Sequence, residues 1–130
     1  MPENKNDRSI TGRQTTAGAA EETVLLTVGG AAPAATVAVP TGQVLVITDL
    51  ITSALPSPSL WRLQQANNGV TFFDIALTEV QPTSISNSLH ITYNTGLVVN
   101  GGPLVAVRVR VETVGGPADV ICTLRGYVEA

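Results

Sequence analysis

Cysteine is nearly missing from this sequence: Cys122 is the only one in 130 residues. A lone cysteine cannot close an internal bridge, so no disulfide framework holds the fold and nothing suggests an oxidising destination. A chain of this length makes one domain and buries roughly 65–70% of its unfolded surface, so it needs neither bridges nor metal for a core. Histidine is equally scarce. His90 stands alone, and a cupin-type metal centre needs several. Aromatic residues are 4% of the chain, thin for a carbohydrate binder. Long apolar runs are also lacking. No segment approaches the ~20 residues of a membrane helix, and residues 1–14 have no apolar stretch of the signal-peptide kind.

Charge is sparse too, at 13% against about 25% in ordinary soluble domains. The net charge is −3, which argues against sequence-independent nucleic-acid binding, since that needs clustered lysine and arginine. Three of the seven basic and four of the ten acidic residues fall within residues 1–22. Lys5 is the only lysine. The remaining body therefore has no lysine with which to blunt its sheet edges and little charge to keep it apart from neighbours. Burial of that surface in an oligomer accounts for this composition. A neutral, Thr/Ser/Asn-rich monomer is the other explanation.

What the chain does contain is β-pattern. Val44-Leu45-Val46-Ile47 is a run of four branched aliphatics with no polar alternation, which predicts a central strand covered on both faces. Pro40-Thr41-Gly42 leads into it. Leu104–Val114 alternates cleanly, with Val105, Val107, Val109 and Val111 on one side and Arg108, Arg110 and Glu112 on the other. Asp119–Glu129 does likewise, with Val120, Cys122, Leu124 and Val128 inward. Residues 22–28, 35–39, 70–77 and 88–93 supply further strands, and Leu97–Val99 a short one. Asn67-Asn68-Gly69 is a hairpin signal between residues 60–66 and 70–77; a short helix over 60–66 is the competing assignment. Turns are expected at Gly29-Gly30, Asn94-Thr95-Gly96, Asn100–Pro103 and Gly115–Pro117, and loops at 55–59 and 82–84. Residues 1–21 are polar and without period, and read as a flexible N-terminal arm ahead of a β-sandwich domain over 22–130. About eight strands joined by Gly/Pro/Asn turns predict an all-β, antiparallel β-sandwich, with eight in two sheets the jelly-roll number.

No catalytic constellation emerges. Cys122 falls on an inward face with no basic cluster to activate it. The serines lack a G-x-S-x-G setting. Asp49, Asp74, Glu79 and Asp119 are scattered and form no calcium loop. No catalytic, cofactor-binding or metal-binding residue is assigned, and no cofactor. The residues with interface character are Trp61, Arg62, Arg108, Arg110, Arg125 and Tyr127. Trp61 and Tyr127 could make a sugar-stacking platform; Trp61 beside Arg62 also suits packing or a subunit contact. Arg108, Arg110 and Glu112, with Arg125 on the neighbouring strand, suggest a cross-strand charge ladder.

One family resemblance rests on Tyr93–Leu104, on the valine-alternating strand that follows, on the terminal Arg125-Gly126-Tyr127-Val128, and on Val39-Pro40-Thr41-Gly42. These turn and strand patterns resemble small jelly-roll decoration or cement proteins of tailed-bacteriophage heads, over about residues 24–130. The resemblance implies a non-enzymatic structural protein that self-associates, with a trimer favoured, and decorates or cements a virus capsid. Its partner would be the major capsid protein or another shell protein, and its place the virion after synthesis in the host cytoplasm. No nucleic acid or membrane partner is expected. The alternative is a carbohydrate- or ligand-binding β-sandwich module.

Overall fold

The valine alternation of residues 105–111 folds as it reads. Val107, Val109 and Val111 are buried against the opposite layer while Arg108, Arg110 and Glu112 stay on the outer face. The same rule builds the rest. The structure, a computed structural model, describes residues 5–129 apart from 19, 30, 56–58, 81–87 and 114–116. Among the described residues it has ten strands and no helix: β1 Lys5–Thr16, β2 Glu22–Thr23, β3 Leu26–Val28, β4 Val37–Ala38, β5 Val44–Leu55, β6 Ser59–Ala66, β7 Phe72–Val80, β8 Ser88–Asn100, β9 Ala106–Thr113 and β10 Ala118–Glu129. The expected loops at Pro56–Pro58 and Pro82–Ser84, and the turn at Gly115-Gly116, lie outside the described residues.

The strands form two antiparallel sheets that pack into a sandwich. The first runs β3-β1-β10-β5-β8 and the second β2-β9-β6-β7, with β4 beside β2 on the free edge of β9. Four pairings nest within one another: β1 with β10, β4 with β9, β5 with β8 and β6 with β7. The core between the sheets is aliphatic around one aromatic, with Leu45, Ile47, Leu50, Leu124 and Val120 from the first sheet meeting Trp61, Leu63, Val107, Val109 and Val111 from the second.

The aliphatic run of β5 is covered on both faces, as its lack of alternation predicts. Leu45 and Ile47 face the core. Val46 points outward and is still buried, because β8 closes over it; a Cβ on Gly96 would lie 2.4 Å from Val46 Cγ1. The hairpin at Asn67-Asn68-Gly69 also forms. Asn68 Oδ1 accepts from the backbone N–H of Val70 at 2.9 Å and of Thr71 at 2.7 Å, and Gly69 takes φ +78°. Residues 60–66 are strand and not helix, since Trp61 and Leu63 must face one sheet and Arg62 the solvent.

Four expectations fail. Residues 1–21 were expected to be an arm, yet Lys5–Thr16 is a twelve-residue strand held between β3 and β10. Its inward face reads Ile10, Gly12, Gln14, Thr16, so only Ile10 gives an apolar signal. Gly12 cannot carry a side chain there, because a Cβ would sit 2.6 Å from Val24 Cγ1 and 2.9 Å from Leu26 Cδ2. Polar Thr16 is buried with its partner, Thr113, 2.7 Å away. The apolar filling that would have marked the strand is supplied by its neighbours. The strand expected over 22–28 divides, with β2 in one sheet and β3 in the other, and the chain crosses at Val24-Leu25. The turn expected at Asn94-Thr95-Gly96 is a wide bulge: Tyr93–Gly96 stand opposite Thr48 alone, and β8 continues past them. Finally, β9 and β10 are not neighbours. They lie in different sheets, so Arg125 cannot join the Arg108–Arg110 row.

Edge strands present unpaired N–H and C=O groups to other chains. With Lys5 the only lysine, this sandwich manages its edges by shape. One side ends in β2, β3 and β4, each two or three residues long. The other side ends in β7 and β8, both bulged, at Ile75 and at Tyr93–Gly96. Bulges bend and twist an edge away from flat pairing.

Candidate functional site

The outer face of the second sheet gathers three of the residues singled out in the sequence. Arg62 on β6 lies beside Arg110 on β9, and Arg108 beside Gln64. Three cations on adjacent strands would repel, and each is answered. Glu21, just before β2, reaches Arg62 Nε at 2.8 Å and Arg110 Nε at 2.9 Å with its two carboxylate oxygens, and its backbone carbonyl accepts from Arg110 Nη2 at 3.0 Å. Asp74 on β7 pairs with Arg62 Nη1 and accepts from Gln64 Nε2 at 2.8 Å. Gln64 Oε1 in turn accepts from Arg108 Nε at 2.8 Å. Arg108 also stacks over Phe72, 3.8 Å from the ring centroid. The result is one hydrogen-bonded chain across four strands' worth of surface.

Its electrostatics follow from the partners. Gln64, then Arg62, hold the Asp74 carboxyl below its ordinary pKa. Asp74 raises that of Arg62. Arg108 is lowered, by partial burial first and by nearby Arg110 second. Surface pairs of this kind add little to stability individually, but a connected network fixes side chains into a defined, nearly neutral relief. Glu21, Gln64, Phe72 and Asp74 were not legible as members of it. The Asn67–Gly69 hairpin register carries the one usable signal, since it sets Asp74 opposite Gln64.

Arg125 and Tyr127 belong to a second place, on the outer face of the first sheet. There β5 carries an extra residue, Thr48, opposite the Arg125/Gly126 step of β10. Gly126 is required at this step: a Cβ would lie 2.0 Å from the Val46 carbonyl oxygen. The Thr48 hydroxyl sits 2.8 Å from Asp49 Oδ2 and 3.2 Å from the Arg125 carbonyl. The bulge opens a shallow groove of about 440 Å³ lined by Arg8, Ser9, Thr48, Asp49, Arg125 and Tyr127. Asp49 is bound at its rim by His90 Nε2 at 2.8 Å and by Thr92 Oγ1 at 3.3 Å. These contacts, that of His90 first and Thr48 next, lower the Asp49 pKa.

Trp61 is in neither place. It is 1% exposed, within the core, and its indole N–H donates to Ser59 Oγ at 2.8 Å. β6 is an interior strand, so its inward residue has a sheet above it; the expected interface and sugar-platform roles both need an exposed ring. Cys122 is buried as its pattern predicts, and burial pushes its thiol up to about 12. His90 is exposed on the outer face. Among the described residues, no group of three or more His, Cys, Asp and Glu side chains is placed to hold a metal ion.

Exposed apolar side chains are not evenly spread. Of the seven large ones among the described residues, Phe73 and Leu77 lie on β7, Val98 on β8, and Val70 and Leu104 in the turns that flank these two strands. β7 and β8 meet along one side of the sandwich. Compared with models of known protein families, with curated proteins and with solved structures, the chain gives no significant match.

Proposed function

We propose that this chain is a non-enzymatic structural protein that self-associates, most simply as a trimer, and decorates or cements a virus capsid in the manner of phage-head decoration proteins. The observation that carries this is the number of exposed apolar side chains on and beside the two strands that edge one side of the sandwich: Phe73 and Leu77 on β7, Val98 on β8, and Val70 and Leu104 in the adjoining turns. Leu77 shares the outer face of Arg62 and Val98 the opposite outer face of Val46, so covering both takes contacts on two sides of the domain. Sparse charge over the body of the chain points the same way. The nested pairings support a jelly roll: with β2 and β3 taken as part of one connection, eight principal strands remain, in the orders β1-β10-β5-β8 and β4-β9-β6-β7. Viral capsid and lectin domains are among those built on that plan. The nearly neutral arginine–carboxylate relief on the second sheet would give such a contact its register.

The test is the absolute mass of the full chain in solution by light scattering, with Leu77→Asp and Val98→Asp beside it. A mass near three times 13.5 kDa that falls in either variant, with the fold intact by circular dichroism, is the expected result. A concentration-independent monomer that also leaves purified capsid shells undecorated would overturn it. The ligand-binding alternative loses its two-ring platform with Trp61 in the core.

A further inference from the structure

The two sheets do not close fully where β3 and β4 form their edges. Between them lies a half-enclosed cavity of about 190 Å³. Ile10, Val28, Val37, Leu45 and Val128 give it branched aliphatic walls, and Arg8 and Gln43 are the polar side chains that border it. Sequence explains the gap. On the second-sheet side the cover is β4, only two residues long, and one of the two is Ala38. Small side chains at a sheet edge cannot reach across the roughly 10 Å between layers. An unfilled cavity leaves its lining atoms without dispersion partners on one side.

We propose that this cavity is a binding site for a small apolar anion, an aromatic or branched aliphatic carboxylate about the size of benzoate. Size sets the apolar part. A dry aliphatic cavity of about 150 Å³ takes benzene, so one a quarter larger holds a six-membered ring with little room to spare, and a fused bicyclic system overfills it. Chemistry sets the charged part. Arg8 is half-buried and lines both this cavity and the open groove of Thr48 and Tyr127, so this residue stands where the apolar space meets solvent. Arg8 makes other interactions within the protein. A guanidinium has five N–H donors in a planar fork, enough to take a carboxylate besides. Among the described residues no acidic side chain lines the cavity, so a cationic ligand would leave its charge unmatched. This site is separate from the apolar β7–β8 side and does not depend on any assembly.

The experiment is a methyl-NMR titration of the full chain with benzoate, with toluene as the neutral probe. Expected are saturable shifts of the Val28, Val37 and Val128 methyls with a Kd on the order of 1 mM for benzoate, with Val98 on the outer face unmoved. Arg8→Gln should weaken benzoate about two- to five-fold, the range of a solvent-accessible ion pair, and leave toluene unchanged. Val37→Phe should fill the space and abolish both. Absence of saturable shifts with either probe in the unmodified chain would overturn the site. Toluene saturating while benzoate is inert, or equal benzoate affinity in Arg8→Gln, would overturn the assignment to an anion.

Discussion

Removal of the N-terminal segment separates an arm from a strand. If residues 1–16 were an appendage, their deletion would leave the melting point of the sandwich unchanged. In the structure the deletion strips twelve register pairs from β10, uncovers Val24, Leu26 and Cys122, and removes the Thr16–Thr113 tie across the two sheets. The smallest informative perturbation is Ile10→Ala. Ile10 is 2% exposed, and truncating such a side chain to alanine costs about 2–5 kcal/mol. Ile10 also lines the 190 Å³ cavity, so part of its surface already lacks neighbours and less contact is lost. We therefore expect the lower half of that range, about 2–3 kcal/mol, and a fall in Tm of roughly 6–15 °C for a domain of this size. Deletion of residues 1–16 adds the lost ladder and the newly exposed apolar surface. The sum reaches the 5–15 kcal/mol by which domains are stable at all, so the truncated chain should not fold. Urea unfolding followed by circular dichroism measures both. A truncated chain that unfolds cooperatively at the full-length midpoint would refute the strand, as would an Ile10→Ala variant within about 0.5 kcal/mol of the parent.

Four further outcomes are expected. Gly126→Ala meets backbone, the Val46 carbonyl oxygen at 2.0 Å, and should cost about 3 kcal/mol or more, whereas Gly69→Ala, with nothing nearer than 3.8 Å but φ +78°, should cost about 1–2 kcal/mol; paired urea midpoints test the order. Cys122 should resist a thiol reagent at pH 8 until urea unfolds the chain. Its folded pKa, pushed from 9.0 up to about 12 by burial, means that the stability it contributes is complete below pH 9 and is lost as pH rises from 9 towards 12, readable as an alkaline fall in Tm that Cys122→Ala removes. Asp49, held below its ordinary 3.8 by His90 first, contributes stability that is present above pH 3.8 and lost as pH falls below it; carboxyl-carbon NMR should show its titration move upward in His90→Ala. Trp61 should emit as a buried indole and resist acrylamide quenching, and Trp61→Ala should cost about 3–5 kcal/mol.

How much was legible depended on whether a residue's own strand carried the signal. β5, β9 and β10 were readable because their inward positions are aliphatic and successive, so period 2 stands out against polar outer positions. β1 was not, because Gly12, Gln14 and Thr16 occupy inward positions whose space is filled from β2, β3 and β10. The arginine network was half legible. Arg62, Arg108 and Arg110 are outward by alternation, but their partner Glu21 sits 41 residues before Arg62 in the chain, a separation that no local pattern encodes.

The amino-acid order by itself determined the all-β class, the Asn67–Gly69 hairpin, the inward face of Cys122 and the outward face of the arginines, since each follows from side-chain period and turn chemistry within a few residues. The tertiary structure alone decided which strands are neighbours. Strand order is set by how two sheets share one core, and that placed β9 and β10 in different layers, Arg125 away from Arg110, Trp61 inside and β1 between β3 and β10. It decided the cavity as well, because a gap between layers exists only once both layers are in place.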